Sequence, residues 1–371
     1  MVKETKYGVI SDVHADPRIV PVAINVLKKL GAEKLLINGD IGNNQETLKD
    51  SQNYVAFILD SIGKSGLESF VQPGSHETLL AYGPVIEHFS GKYHNLIDVI
   101  KTPKVEQNGH QLVFLPGSDF ICGGEYSIGM DTILSGKYIQ VNDTPHLIMA
   151  STLEEYVSMI EGMRKIDNNA RFRGFQFSNM NDLRKLVNDP AKTTVVCHVP
   201  RKFDNIENCV DVTEFGEVQK TFFADIVSYK DGEEQIRIFY ENGQNATILK
   251  PKPVENYTRN QVFEKGSVFP IQTAQFFKNS GAPVEIKREN RGNEDLKKLY
   301  EELGITKAVS GHFHESGHRA NDSKGNKVPS GQMVSDLFWN SGHLDVCQTG
   351  ILTIADKKAS YININLQDHL D

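Results

Sequence analysis

The 371-residue chain has only four cysteines, Cys122, Cys197, Cys209 and Cys347, and none stands in a Cys-x-x-Cys pair. A dense disulfide scaffold is excluded, and the four are read as reduced thiols. Positive charge is not in excess: 40 Lys and Arg against 48 Asp and Glu leave a net charge of -8. No whole-protein basic field therefore gathers nucleic acid or acidic membrane, although a local basic patch stays open. No apolar run approaches the roughly 18 residues of a membrane span, and the stretch from Tyr7 to Ile10 is far too brief for a signal helix. The default expectation is a cytoplasmic protein with no membrane partner. What the chain does have is 39% hydrophobic residues, enough for a sizeable core in one large domain or two ordinary ones.

Tyr7 to Ile10 reads as a buried strand, and Pro17 stands where helices commonly start, ahead of Val20, Ala23, Ile24, Leu27 and Leu30, with Gly31 closing the helix. A second strand runs from Lys34 to Ile37, a second helix from about Gln45 to Ile62, and a third strand from Phe70. This β-α-β-α-β order predicts an α/β fold whose first strands are parallel. Further strands are expected at Gln111 to Leu115 and Thr193 to Cys197, and helices at Leu153 to Ile166 and Met180 to Val187. From about Pro200 to Asn293 the pattern is less regular, with one expected strand at Gln235 to Tyr240, so residues 200–293 are read as an inserted cap or subdomain between core segments 1–199 and 294–371. Asn293 caps a helix ending at Gly304, and a terminal hairpin turns at Asp356.

Polar residues follow these strands in a repeated place: Asp12 and His14 after the first, Gly39 and Asp40 after the second, Gly74, Ser75, His76 and Glu77 after the third, His198 after another, and Gly311, His312 and His314 after yet another. In open α/β sheets the loops beyond the strand C-terminal ends line one crevice, so side chains hundreds of residues apart can converge. Asp-x-His and His-x-His present two ligands on one side of an extended segment. Carboxylate with imidazole suits manganese, iron or zinc better than calcium. The glycines admit close backbone approach.

The order Asp-x-His, Gly-Asp, Gly-x-His-Glu, His, Gly-His-x-His resembles the calcineurin-like metallophosphoesterase superfamily over residues 7–120, 193–199 and 305–366. The resemblance implies a four-layer α-β-β-α sandwich of two mixed sheets. It also implies two divalent metals, manganese first with iron or zinc as alternatives. Asp12, His14, Asp40 and His314 would hold one, and Asp40, His198 and His312 the other. His76 would be the non-ligand histidine that meets the phosphate or protonates the leaving oxygen, and Glu77 would orient its loop. The chain departs from the family at Ser75, where Asn usually ligates the second metal. That implies a weaker site, or one completed by water, Asn43 or Asn44. It also lacks the Asp-Arg pair of serine/threonine protein phosphatases after Asp40.

The expected activity is hydrolysis of a phosphomonoester or phosphodiester, with a nuclease of the same superfamily, or a non-catalytic interaction protein that retains the fold, as the alternatives. The expected partner is a phosphate ester, a nucleotide or nucleic acid included, and Asn43 and Arg201 are candidate substrate contacts. His318 and His343 are read as bystanders. Arg164, Lys165, Arg171, Arg173, Arg184 and Lys185, interleaved with Phe172, Phe175 and Phe177, are read as a solvated face before a nucleic-acid surface.

Overall fold

The computed structural model describes residues 3–43, 45–142, 144–230, 233–240, 245–249 and 261–369. The chain forms two compact units, Met1–Asp211 with Asn290–Asp371, and Val212–Glu289. It is a mixed α/β protein with several sheets and, among the described residues, seven α-helices.

In the first unit, one six-stranded sheet runs Lys358–Asn365, Gln348–Ala355, Thr5–Ile10, Lys34–Asn38, Glu68–Gln72, Leu96–Asp98. Its last four strands are parallel and its first two antiparallel. A second sheet runs Ala320–Asn321, Leu337–Asn340, Lys307–Ser310, Thr193–Cys197, His110–Leu115, Lys104–Gln107, with four parallel strands at its centre. Strand periodicity sorts the side chains. Leu35 and Ile37 join a core with Ile24, Leu27, Ile58 and Tyr82 of helices α1 (Ile19–Lys29), α2 (Leu48–Lys64) and α3 (Leu79–Lys92). Tyr7, Val9, Leu36 and Phe70 instead meet Leu112, Phe114, Val196 and Trp339 of the second sheet. That sheet's opposite face carries Val113, Val195 and Cys197, packed with Leu183, Leu296 and Tyr300.

Local chemistry sets the helix ends. The Thr47 hydroxyl accepts from the Asp50 amide and starts α2 at Leu48, later than the apolar spacing suggests. Thr78 does the same for α3, a helix that no sequence expectation covered. Helix α4 (Leu153–Ile166) lies as expected. The expected helix over 180–187 is a single 3-10 turn, Met180–Asp182, followed by the four-residue α5 (Leu183–Leu186), because the Asn179 side chain caps the turn. Also unforeseen is a four-stranded sheet of Tyr126–Gly129, Phe172–Asn179, Gly136–Val141 and Leu147–Ala150. Arg173 lies on its inner strand Phe172–Asn179 and Arg171 just before that strand, while Arg184 pairs with Glu302 and Lys185 with Asp182. Asn293 caps the last helix, which ends at Gly304 with φ of 72°.

The second unit is more regular than its sequence implies. Helix α6 (Ile271–Asn279) packs with Val218, Phe222, Phe263 and Val284, and the strands Phe222–Lys230, Glu233–Tyr240, Asn245–Leu249 and Gln261–Phe263 form one sheet. The last helix, Glu294–Leu303, is α7 and belongs to the first unit. No helix among the described residues is long and apolar enough to cross a membrane.

His110 is buried beside Tyr7, whose hydroxyl lies 2.8 Å from His110 Nε2. Burial, with Lys34 nearby, pushes the His110 pKa down to about 4. The folded state thus prefers the neutral ring: this stability is complete above the ordinary pKa of about 6.5 and is lost as pH falls from there toward 4. In that window His110 contributes a loss of about tenfold in the folding equilibrium per pH unit. Urea midpoints of His110→Gln should therefore fall less steeply than those of the parent between these values, and parallel curves would remove His110 from the acid sensitivity.

Candidate metal centre

The parallel strands of both sheets end at one place. The Asp12 amide donates to the Gly39 carbonyl (3.2 Å) and the Val13 amide to the Asp40 carbonyl (2.7 Å), which sews the first two strand exits together. Across the sheets, the His312 amide donates to Asp12 Oδ1 (3.2 Å), and within the second sheet the Gly311 amide donates to the His198 carbonyl (3.0 Å). Asp12, Asp40 and His312 all have positive φ, at 56°, 53° and 66°. Non-glycine residues adopt that region at a cost, and such strain concentrates at functional sites. Two glycines make the approach sterically feasible. A Cβ at Gly39 would lie 2.7 Å from His198 Nδ1, and one at Gly311 would overlap Ser11 Oγ and Asp12 Oδ2.

Three groups of donors result. Asp12, His14 and His314 offer ligand atoms within 4.8 Å of one another, as do Asp40, His198 and His312, and as do His14, Asp40 and His76. Asp12 and Asp40 are each 1% exposed. Among the described residues neither carboxylate has a lysine or arginine within 4.0 Å, and their cationic neighbours are the histidines alone. Buried carboxylates without fixed cations are costly.

His198 shows how the centre is prepared. Its Nδ1 lies 2.8 Å from the Asn38 carbonyl, which can only accept, so Nδ1 carries a proton and Nε2 is the atom presented to the carboxylates, where it can take a proton or a cation. Nε2 lies 3.0 Å from Asp40 Oδ2 and 3.8 Å from Asp12 Oδ1, and both ring nitrogens of His14 are buried without a hydrogen-bond partner among the described residues. Orphaned nitrogens facing two carboxylates fit a bound cation. Burial opposes a proton on His198, but Asp40 and Asp12 outweigh it and push its pKa up to about 10. Burial likewise opposes a proton on His314, and its contact with Asp12 overcomes that. Burial, reinforced by His198, holds His312 down to about 3. Burial raises the carboxylates, but His198 and its neighbours bring both Asp12 and Asp40 below the usual range.

The loop after the third strand serves Asp40. The Ser75 hydroxyl donates to Asp40 Oδ2 (2.8 Å), and the Ser75 and His76 amides donate to Oδ1. Glu77 is 1% exposed and accepts from the Ile41, Gly42 and Gly74 amides at 2.5, 2.8 and 2.7 Å, so it ties two strand exits. Burial and the Asp40 charge push its pKa up to about 7. The Cys122 and Gly124 amides pin this loop from outside, both donating to the Ser75 carbonyl at 3.0 Å.

Other expectations meet different surroundings. Arg201 is 4% exposed; its guanidinium lies over Phe203 and Phe338 and donates to Glu301 and the Ser323 carbonyl, so packing commits it as a structural residue and corrects its expected substrate contact. The Asn43 amide donates to the His14 carbonyl (2.7 Å) and holds the loop. Asn44 lies outside the described residues. His318 is a bystander, with Nε2 2.9 Å from the Thr349 carbonyl. His343 is not: its ring stacks on His314 with centroids 4.2 Å apart and 8° between planes. Its only sequence signal is a place beside Gly342 after a strand.

No family model matches the chain, and no curated protein does. Among solved structures, TT1561 of Thermus thermophilus is 8% identical with a TM-score of 0.46, covering 98% of this chain and 100% of that one. A second structure is 12% identical with a TM-score of 0.41, covering 97% and 99%. Likeness at this level carries no argument.

The buried aspartates and histidines could hold a metal ion. Manganese at about 100 times its dissociation constant should stabilise the chelator-treated protein by about 2.7 kcal/mol. In Gly311→Ala the added methyl group displaces Asp12, and affinity should fall about 10–100-fold. A calorimetric titration checks both, and equal affinities would detach Gly311 from the centre.

Proposed function

We propose that this chain is a metal-dependent phosphoesterase of the calcineurin-like kind, hydrolysing a phosphomonoester or phosphodiester with water. The observation that carries the reading is the pair of buried aspartates with no lysine or arginine within 4.0 Å among the described residues, flanked by histidines whose ring nitrogens face them. On this reading Asp12, His14, Asp40 and His314 hold one cation, and Asp40, His198 and His312 the other. The donor set favours manganese, then iron or zinc. The accompanying four-layer arrangement, helices outside two facing sheets, is supported by the core that Tyr7, Phe70, Phe114 and Trp339 share between the sheets.

Bound there, divalent ions supply a water of lowered pKa and absorb charge on phosphoryl oxygens. The remaining work belongs to the side chains. Asp40 contributes an anion fixed by Ser75 and by two amides, so it need not reorganise. His76 sits at the rim, with a side chain 27% exposed and Nε2 3.9 Å from Asp40 Oδ2. From there it can hold a phosphoryl oxygen or pass a proton to the leaving oxygen. Burial lowers its pKa, partly offset by Asp40, which keeps that proton transferable.

The test is hydrolysis of p-nitrophenyl phosphate and bis-p-nitrophenyl phosphate by metal-stripped protein as manganese is added. Turnover should appear with metal and be absent in His314→Ala. His76→Ala should retain manganese binding and lose about 10²–10⁴-fold in kcat. Neither ester cleaved at saturating manganese would sink the activity, and undiminished turnover in His76→Ala would remove its catalytic role alone.

A further inference from the structure

Asn340 and the segment following it, as far as Cys347, leave the second sheet beside the centre and touch both ends of the first donor group. The Leu344 amide donates to the carbonyls of Ser11 and Asp12, both at 3.1 Å, and the Leu344 side chain is fully buried. Asp345 then places one carboxylate across two successive amides: His14 N–H donates to Oδ2 (2.9 Å) and Ala15 N–H to Oδ1 (3.0 Å), from 331 and 330 residues away. On the other side the Asn340 amide group donates to the carbonyls of Gly311 and Phe313, each at 3.1 Å, and accepts from the Gly342 amide. His343 completes the span by stacking nearly parallel on His314. The backbone allows this sharp course through Gly342 (φ 84°) and Cys347 (φ 66°). Asp40 and His198 take their side-chain hydrogen bonds elsewhere, from Ser75 and from Asn38.

We propose that Asp345 and His343 are positioning residues for one half of the centre, fixing Asp12, His14 and His314 relative to one another and so setting the affinity of that metal subsite alone. This rests on the two-metal reading above. A ligand ring free to rotate, or a ligand backbone free to shift, loses affinity because ordering must then accompany binding. Asp345 removes that freedom from the His14 backbone by two charge-assisted hydrogen bonds, and His343 removes it from the His314 ring by area contact.

The experiment uses the full chain, stripped with chelator and reloaded with manganese, and reads metal content per chain together with the electron paramagnetic resonance spectrum. Two bound ions in the parent should give an exchange-coupled spectrum. Asp345→Ala and His343→Ala should each keep one tight ion with an isolated six-line signal, the other weakened about 10–100-fold. His343→Phe, which keeps the stacking face and loses the nitrogens, should stay within about threefold of the parent. Asp345→Asn, which keeps the volume and weakens the bonds, gives an intermediate value and serves if the alanine variant does not fold. Melting of the metal-free proteins monitors folding independently of metal. Parent-like coupling in the Asp345 and His343 variants would overturn the proposal, and so would loss of both ions together at unchanged metal-free melting. A parent that takes up no manganese would instead overturn the metal reading beneath it.

Discussion

Two carboxylates, Asp12 and Asp40, are buried beside each other with imidazoles as their only cationic neighbours among the described residues, and much of the architecture near them exists to make that tolerable. A buried anion must be paired, hydrogen-bonded or neutralised. Here the bonding is supplied by backbone amides, from Ser75 and His76 to Asp40 and from His312 to Asp12, together with the hydroxyls of Ser75 and Ser11. Amides are fixed by the sheets that deliver them, so they hold the carboxylates without adding a competing cation. The positive φ at both aspartates turns the side chains inward at the cost of local strain.

The carriers of this geometry are the strand ends. Parallel neighbours keep their C-terminal ends level, and registers such as Val9 with Leu36 and Val196 with Val309 fix where each loop departs. Trp339, Phe114 and Phe70 lock one sheet to the other, so loops from different sheets meet with little slack. Glu77 adds a cross-tie by accepting three amides from two loops. A carboxyl that is costly to bury is retained there because no apolar side chain could satisfy three amide donors at once.

What could be read from the sequence follows from this. Strands with a buried run ending at a ligand-type residue carry a local signal, reinforced by glycine before Asp40, His76 and His312, and Asp12, His14, Asp40, His76, His198, His312 and His314 all follow such strands and converge. Caps with a side-chain oxygen, as at Asn293, are also local. The sheet over 126–179 escapes a sequence reading because its short strands alternate poorly, with Ile148 and Met149 exposed side by side. The second unit reads as irregular because Asn, Gly and Pro residues interrupt its short apolar runs in the sequence. Arg201 misleads for a different reason: adjacency to His198 in sequence says nothing about which side of a turn the side chain takes, and Phe203 and Phe338 offer it an aromatic bed. His343 and Asp345 are out of reach, since their partners lie far off in the chain, 331 residues away for the Asp345 contact with His14.

Ser75 sits where these constraints meet. At a position where the resembling family places an amide ligand, this chain has a hydroxyl, fully buried, that donates to Asp40 Oδ2. A donor at that oxygen stabilises the ionised carboxylate and fixes its plane. The nitrogens of His198, His14 and His76 lie 3.0, 3.9 and 3.9 Å from the same oxygen, so the hydroxyl holds Asp40 from behind while the imidazoles face it from the open side. On the proposed two-metal reading, Ser75 gives Asp40 a fixed hydrogen bond where an asparagine would offer a neutral ligand.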